Sequence, residues 1–562
     1  MGRHMRKGRF LVAVLTATAF GKTLAGDISC PDNLPSAPAG EVCSVTTGTS
    51  GLLLRGEVLS PSGILHGGHV LVGDDGLISC VGCDCSATPG FADASRIDCP
   101  DGVISPGLID AQQHSTYNHL APVADTGERY EHRHQWRLGQ DGHTQISTPG
   151  GASTDQRRWN ELRALLAGTT SINSSGNASG FVRNLDLTSD TDAIGVTRIR
   201  LSSFPLGDSS GLRLTASCAY ANLPTPTTEV DSWVIAEGID ASARNEFVCL
   251  SGQAMDGVDS IEAAPQVAML ALGAQDAANL QQRGASVVWS PRYNIRLYAD
   301  PAPAVLYANS RVPLMLGTRW TPTGSMNILR ELRCADEANQ AWLDQRFDDR
   351  DLWRMSTINA ARGFHMESAI GALAPGLQAD ISVFDGAVHG GYRAVIDADP
   401  QDVALVLRGG LPMTGRASLL DALGAASCES LSVCGASQKA CVSRETAGAT
   451  DLSLLVLSNM SSYPLFFCGT PSDEPTCTPQ RSSLEVSPVL IYDGQPTIDD
   501  SDGDGIDNAL DNCPLVFNPL RPMDDGTQPD SDGDNIGDAC DVCPLESGES
   551  CLQLFRNGFE DS

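Results

Sequence analysis

Between residues 44 and 104, short apolar runs alternate with Gly and Asp: Leu52-Leu53-Leu54, then His69-Val70-Leu71-Val72, then Leu77-Ile78-Ser79. Runs of this length, bounded by turn formers, predict strands of a small sheet. From 105 to 370 the pattern changes. Strand-like runs (Val103–Leu108, Thr169–Ile172, Arg198–Leu201, Trp233–Ala236, Ser286–Trp289, Leu314–Leu316) alternate with helix-like ones (Arg157–Leu166, Gln275–Arg283, Met326–Arg333, Asp351–Arg362). That alternation predicts a parallel α/β domain, and about 250 residues suits a TIM-type (β/α)8 barrel. β character returns over 376–425, in Ala379–Phe384 and Val403–Leu407. A composite β-sandwich assembled from the segments flanking the barrel is therefore expected.

The full division expected is a signal peptide at 1–25, sandwich segments at 26–104 and 376–425, and the barrel at 105–375. A Cys-rich cap at 426–488, an acidic repeat region at 489–550 and a tail at 551–562 complete it. The signal peptide rests on Arg3, Arg6, Lys7 and Arg9 followed by the apolar run from Phe10 to Phe20, which is too short to span a bilayer. Cleavage after Ala19 or after Ala25 fits equally, and an uncleaved anchor is the alternative. No later segment is apolar and long enough for a membrane helix. Eighteen cysteines in an exported chain predict disulfides. Cys80-Val-Gly-Cys83-Asp-Cys85 has an alternative as a zinc ligand set, and Cys249 and Cys334 are expected as free buried thiols. The net charge of −32 excludes nucleic acid as a partner, because phosphate would be repelled.

The stretch Pro106-Gly-Leu-Ile-Asp-Ala-Gln112-Gln-His114 begins a series of motifs. Ala236-Glu237-Gly238, Val287-Val-Trp-Ser-Pro-Arg292, Leu316-Gly-Thr-Arg-Trp320 with Gly324-Ser-Met-Asn327, Thr357–Arg362, and Ile370–Gly376 with Ala379-Asp380 follow in order. Together, over roughly residues 50–425, they resemble the amidohydrolase superfamily, in the branch of imidazolonepropionase-like and cytosine/guanine-deaminase-like enzymes. The resemblance implies a metal-binding barrel hydrolysing non-peptide C–N bonds, with a divalent ion, zinc above all, activating water. Its ligand set maps poorly here. The two histidines after the first strand fall on Gln112 and His114. The strand-five histidine falls on Val234, the strand-six histidine near Ala268, and the strand-eight aspartate on Arg319. No lysine lies between 22 and 439, so a carboxylated lysine is excluded. A catalytic zinc needs about three protein ligands. Val234 and Ala268 offer no lone pair, and a guanidinium 4 Å from a divalent ion would repel it by about 8 kcal/mol at an effective dielectric near 20. The expectation is a barrel without a transition metal, in which Arg319 pairs with Glu237. His114 and Glu237 are the surviving catalytic candidates, Glu237 resembling a proton-shuttling glutamate.

Trp320, Trp289, Arg292, Tyr293 and Asn294 are expected at the barrel mouth, beneath a lid formed by Thr126–Trp136. That segment carries His132 and His134, pocket residues with a rebuilt metal site as the alternative. No Gly-x-Ser-x-Gly elbow is present. In the tail, Asp500, Asp502, Asp504, Asp507 and Asp511, then Asp530, Asp532, Asp534, Asp538 and Asp541, alternate with Gly and resemble thrombospondin type 3 repeats. Several carboxylates converging on one centre suit calcium. The last residues, Leu554–Glu560, resemble C-terminal tails of some exported bacterial proteins. Three functions follow as expectations. The first is a secreted pseudoenzyme or binding protein with an unknown small molecule in its pocket. The second is a working C–N hydrolase using His114 and Glu237. The third is a calcium-dependent surface or matrix-associated protein.

Overall fold

The computed structural model describes residues 26–31, 34–176, 178, 180–187, 194–225, 230–261, 265–267, 270–425, 427–482 and 491–547. The proposed signal segment, Ala268 and the last residues lie outside them. The segments flanking the barrel join in one eleven-stranded sheet. The seam between them is the antiparallel pair of Ser95–Pro106 and Ile381–Asp385, with Val383 opposite Ile104. Alternate residues of these strands are buried in a common core with Val58, Val70 and Leu405, as the period of two requires. The composite origin is as expected. The sandwich differs: hydrogen bonding runs as a single sheet, because the twelve-residue strand Ser95–Pro106 pairs along both edges.

The next strand starts after Gly107. A Cβ there would lie 2.2 Å from Thr170 Oγ1, so only glycine lets the chain pass from the sheet into the barrel at this point. Parallel strands then follow in two arcs. Leu108–Gln113, Thr169–Ser174 and Arg183–Asn184 form one; Ile199–Ser202, Val230–Val234, Pro265–Val267, Ser286–Trp289 and Leu314–Leu316 form the other. Backbone bonds meet at both seams. Ile199 donates to Leu185 O at 2.9 Å, Arg319 donates to Gln112 O at 2.8 Å, and His114 donates to Arg319 O at 3.1 Å. The architecture is TIM-barrel-like α/β. The expected helix Asp351–Arg362 is two helices, Asp349–Met355 and Ile358–Gly363. The Ser356 and Thr357 hydroxyls both donate to Trp353 O, competing with the helical ladder at the break.

Both cysteines expected to be free are bonded: Cys249 to Cys218 and Cys334 to Cys477. The zinc alternative at Cys80–Cys85 is also consumed, in Cys30–Cys83 and Cys80–Cys85. Disulfides of this number belong to a chain that folds in an oxidising compartment. The Cys-rich region is not a separate cap. Its hairpin Glu429–Val433 and Ala436–Ala440 extends the eleven-stranded sheet through Leu411–Arg416. No helix among the described residues is long and apolar enough to cross a membrane.

Candidate functional site

The strand Val230–Val234 leads to Ala236, which has φ +53°, and the strand Leu314–Leu316 leads to Arg319, with φ +60°. L-residues avoid this region, and strain of this kind gathers where geometry is over-determined. It aims two opposite charges at each other. Arg319 Nη2 donates to Glu237 Oε2 at 2.8 Å, and both side chains are buried. Tyr298 donates to Glu237 Oε1 at 2.8 Å, and the Tyr293 hydroxyl donates to the same oxygen. Arg319 Nη2 also donates to Tyr293 Oη at 3.1 Å and stacks over its ring, 4.3 Å from the centroid. Burial pushes the Glu237 carboxyl up, but Arg319, Arg133 and the tyrosine hydroxyls more than offset this and hold it below its ordinary value. Glu237 is an ionised, saturated acceptor. The Arg319–Glu237 pairing expected from sequence is present.

His114 sits across the seam. Its Nδ1 is 2.6 Å from Ser175 Oγ and its Nε2 is 3.4 Å from the Gln112 amide nitrogen. Burial, reinforced by Arg319, pushes it down to about 3, so it is neutral. Gln112 Oε1 is buried without a hydrogen-bond partner, as are Arg319 Nε and Nη1.

The segment expected as a lid is partly a helix. His132 caps Arg133–Leu138 by accepting from His134 N at 3.1 Å. Glu131–Arg133 lies antiparallel to Glu237–Ile239 through bonds of Arg133 N to Glu237 O and Ile239 N to Glu131 O. This pins the helix to the site. Arg133 Nη2 donates to Asp208 Oδ2 at 2.5 Å and to Glu246 Oε1 at 3.2 Å. His134 Nε2 is 3.0 Å from the same Asp208 oxygen. His134, Asp208 and Glu246 thus bring a nitrogen and two carboxylate oxygens within 4.8 Å of one another, all buried. Burial, joined by Asp208 and opposed by Arg133, pushes Glu246 up to about 7.

A cavity of about 430 Å³ lies at this end of the barrel, lined among others by His114, Val234, Glu237, Tyr293, Arg319 and Trp320, with Arg133, Trp136 and Arg137 from the helix. Its size falls in the range of small-molecule sites. Trp320 and Tyr293 are among the lining residues. Arg292, His132 and His134 are not among the lining residues. Arg292 turns away from the cavity to Ser325 Oγ, the Arg330 carbonyl and the Pro475 carbonyl. His132, the N-cap, and His134 lie against Glu246 and Asp208, and Arg133, between them in sequence, is the residue of this turn that lines the cavity. Trp289 is packed against Phe347 and bonds the Pro301 carbonyl. Asp208 and Glu246 carried no signal in the sequence.

A transition metal fits poorly at the family position. Among the described residues there, the His114 ring nitrogens face the Gln112 amide and Ser175, Val234 contributes carbon, and a guanidinium stands beside Glu237. The His134–Asp208–Glu246 cluster has the right donor types, yet Arg133 already lies between its carboxylates.

The tail is different. Asp500 Oδ1 and Oδ2 accept from Gly503 N and Gly505 N at 2.8 and 2.9 Å; Asp530 accepts from Gly533 N and Asn535 N at 2.8 and 3.0 Å. Asp511 and Asp541 each accept from the cysteine two residues on, at 2.8 Å. The same loop is therefore built twice. Asp500, Asp502 and Asp504 converge, as do Asp530, Asp532 and Asp534. Oδ2 of Asp502, Asp511 and Asp532 is buried without a donor. Burial and neighbouring aspartates push Asp502 up to about 8 and Asp504 to about 7, the response of carboxylates arranged for a cation. Asp538 is committed to Ser531 N and Oγ, and Asp507 is exposed outside the cluster.

Fold and site define a TIM-barrel-like α/β protein with a polar, aromatic cavity at the strand ends. Residues 226–411 match the amidohydrolase family and 499–521 the thrombospondin type 3 repeat. A stretch of 122 residues, 21% of this chain, is 31% identical to 5-methylthioadenosine/S-adenosylhomocysteine deaminase of Teredinibacter turnerae, and the match spans 28% of that protein's length. Similar solved structures include an adenosine deaminase from Xanthomonas campestris with bound zinc (18% identity, TM-score 0.47, 65% of this chain and 93% of that one). Another is atrazine chlorohydrolase from Arthrobacter aurescens TC1 complexed with zinc (17% identity, TM-score 0.47, 67% of this chain and 99% of that one).

Proposed function

We propose that this chain is an exported ligand-binding protein of amidohydrolase fold, its two strand arcs closing as one eight-stranded barrel without a transition-metal centre. One observation carries the reading: the Arg319 guanidinium, at the position expected for a metal-binding aspartate, lies 2.8 Å from Glu237. A fixed monovalent charge replaces the ion and leaves no buried carboxylate alone. The acidic loops bind calcium through Asp500, Asp502, Asp504 and their counterparts Asp530, Asp532 and Asp534. Elemental analysis of the full chain, purified from medium supplemented with zinc, iron and manganese, should find none of the three in stoichiometric amount. A stoichiometric transition metal would sink this reading.

The second reading is a working hydrolase of C–N bonds. It is supported by the His134–Asp208–Glu246 cluster, and it requires Arg133 to vacate that nest. If metal is found, loss of it in His134→Ala would place it there, and loss of turnover in Glu237→Gln would support the enzyme.

A further inference from the structure

The cavity wall carries one arginine that makes no direct ion pair among the described residues. Arg133 is paired with Asp208 and Glu246, and Arg319 with Glu237. Arg137 makes no ion pair among the described residues. It is half-buried, its Nη2 donates to the Ser209 carbonyl at 2.5 Å and lies 3.2 Å from His134 Nδ1, and its guanidinium stacks on Phe204, 4.4 Å from the ring centroid. The carboxylate in the wall, Glu237, is filled by three donors, so nothing there invites a cation. Arg319 adds Nε and Nη1, both buried and without acceptors. The rest of the wall is aromatic. Trp136 and Trp320 lie 5.6 Å apart, and Tyr117 meets Trp320 edge-on at 5.5 Å. Both indole nitrogens are already used, on Tyr298 Oη and Thr323 Oγ1, leaving ring faces and edges for the ligand.

Flat apolar surface, an arginine without a direct ion pair and spare guanidinium donors suit a planar ligand with a single negative charge. Resting on the metal-free reading of the same cavity, we propose that it binds a small aromatic carboxylate, its ring among Trp136, Trp320 and Tyr117 and its carboxylate on the free donors of Arg137 and Arg319. Arginine suits this role because its planar fork matches a carboxylate and stacks on rings. No bond is made or broken.

The test uses the full chain in calcium-containing buffer and follows tryptophan fluorescence and heat on titration with indole-3-acetate, its neutral amide indole-3-acetamide, and the cation tryptamine. Indole-3-acetate should bind saturably and about tenfold or more tighter than either, the scale of one charge-assisted hydrogen bond. Arg137→Gln should abolish that preference while Arg137→Lys keeps part of it. Equal affinity for the three compounds overturns the proposal, as does failure of indole-3-acetate, benzoate and 1-naphthoate all to bind. Tighter binding of phenyl phosphate than of benzoate overturns the single-charge assignment. The three-compound comparison needs only the wild type, so a misfolded variant does not rescue the idea. Charge-blind binding by metal-free protein defeats this inference alone, whereas stoichiometric metal defeats the reading beneath it.

Discussion

Glu331 lies fully enclosed in the helix Ile328–Trp342, its Oε1 accepting from the Arg292 amide at 3.2 Å. Burial pushes its carboxyl up to about 7 against the opposing pull of Arg292. The folded chain keeps a proton there that the unfolded chain releases near its ordinary value. This group's contribution is fully present at low pH and lost as pH rises through about 7. Glu331→Gln removes the titration. In urea denaturation, wild type should lose about 2 kcal/mol relative to that variant between pH 5 and pH 8; parallel pH profiles would refute the assignment. Such a group is illegible in sequence, because nothing short of the packed helix shows that it is dry. Arg319 was legible for the opposite reason: an arginine in place of an expected aspartate, with Glu237 retained, leaves one obvious partner. The Arg133–Asp208–Glu246 nest was not. Its members come from a helix start, an irregular loop and another helix, with no spacing linking them. His132 and His134 were expected as pocket residues of a lid, and the helix start they occupy leaves them against Glu246 and Asp208 instead.

Elements were legible where burial leaves a run of apolar residues. Ser286–Trp289 and Leu314–Leu316 fall where the pattern put them. Arg183–Asn184 and Pro265–Val267 are two and three residues long and carry no period to detect. Closure between the first and last strands of the series was also invisible, since it depends on one small residue. A Cβ on Gly317 would lie 2.8 Å from Gln112 N, Gln112 Cβ and Val288 Cγ1. Backbone cannot yield as a side chain does, so Gly317→Ala should force the seam apart and cost about 1–3 kcal/mol. Gly273 precedes the helix Ala274–Gln282, and a methyl added there would meet nothing within 4 Å. Gly273→Ala should therefore change stability by about 0.5 kcal/mol or less. Equal melting shifts for the two variants would show that the seam is not tightly closed.

At the scale of the whole chain, the acidic repeats are fastened to the barrel. Phe517 N donates to Trp342 O at 2.9 Å, and Trp342 Nε1 donates to the Gly494 carbonyl at 2.9 Å. Asn309 Nδ2 donates to the Cys540 and Asp541 carbonyls, and Arg521 Nη1 to the Leu270 carbonyl. Upstream, Arg481 reaches Glu131 at 3.1 Å and the Tyr298 carbonyl at 3.3 Å, next to the tyrosine that holds Glu237. The repeat was legible from its aspartates; its docking was not, because it is made largely to backbone carbonyls. If the loops hold calcium, removing it leaves clustered carboxylates that repel or take up protons, and the docked backbone should loosen with them. Chelation of the full chain should then lower the melting temperature of the main transition, not merely a minor tail transition, and Asp502→Asn with Asp504→Asn should lower it in calcium-containing buffer too. An unchanged main transition, with circular dichroism of the tail alone responding to calcium, would show that the repeats ride on the barrel without supporting it.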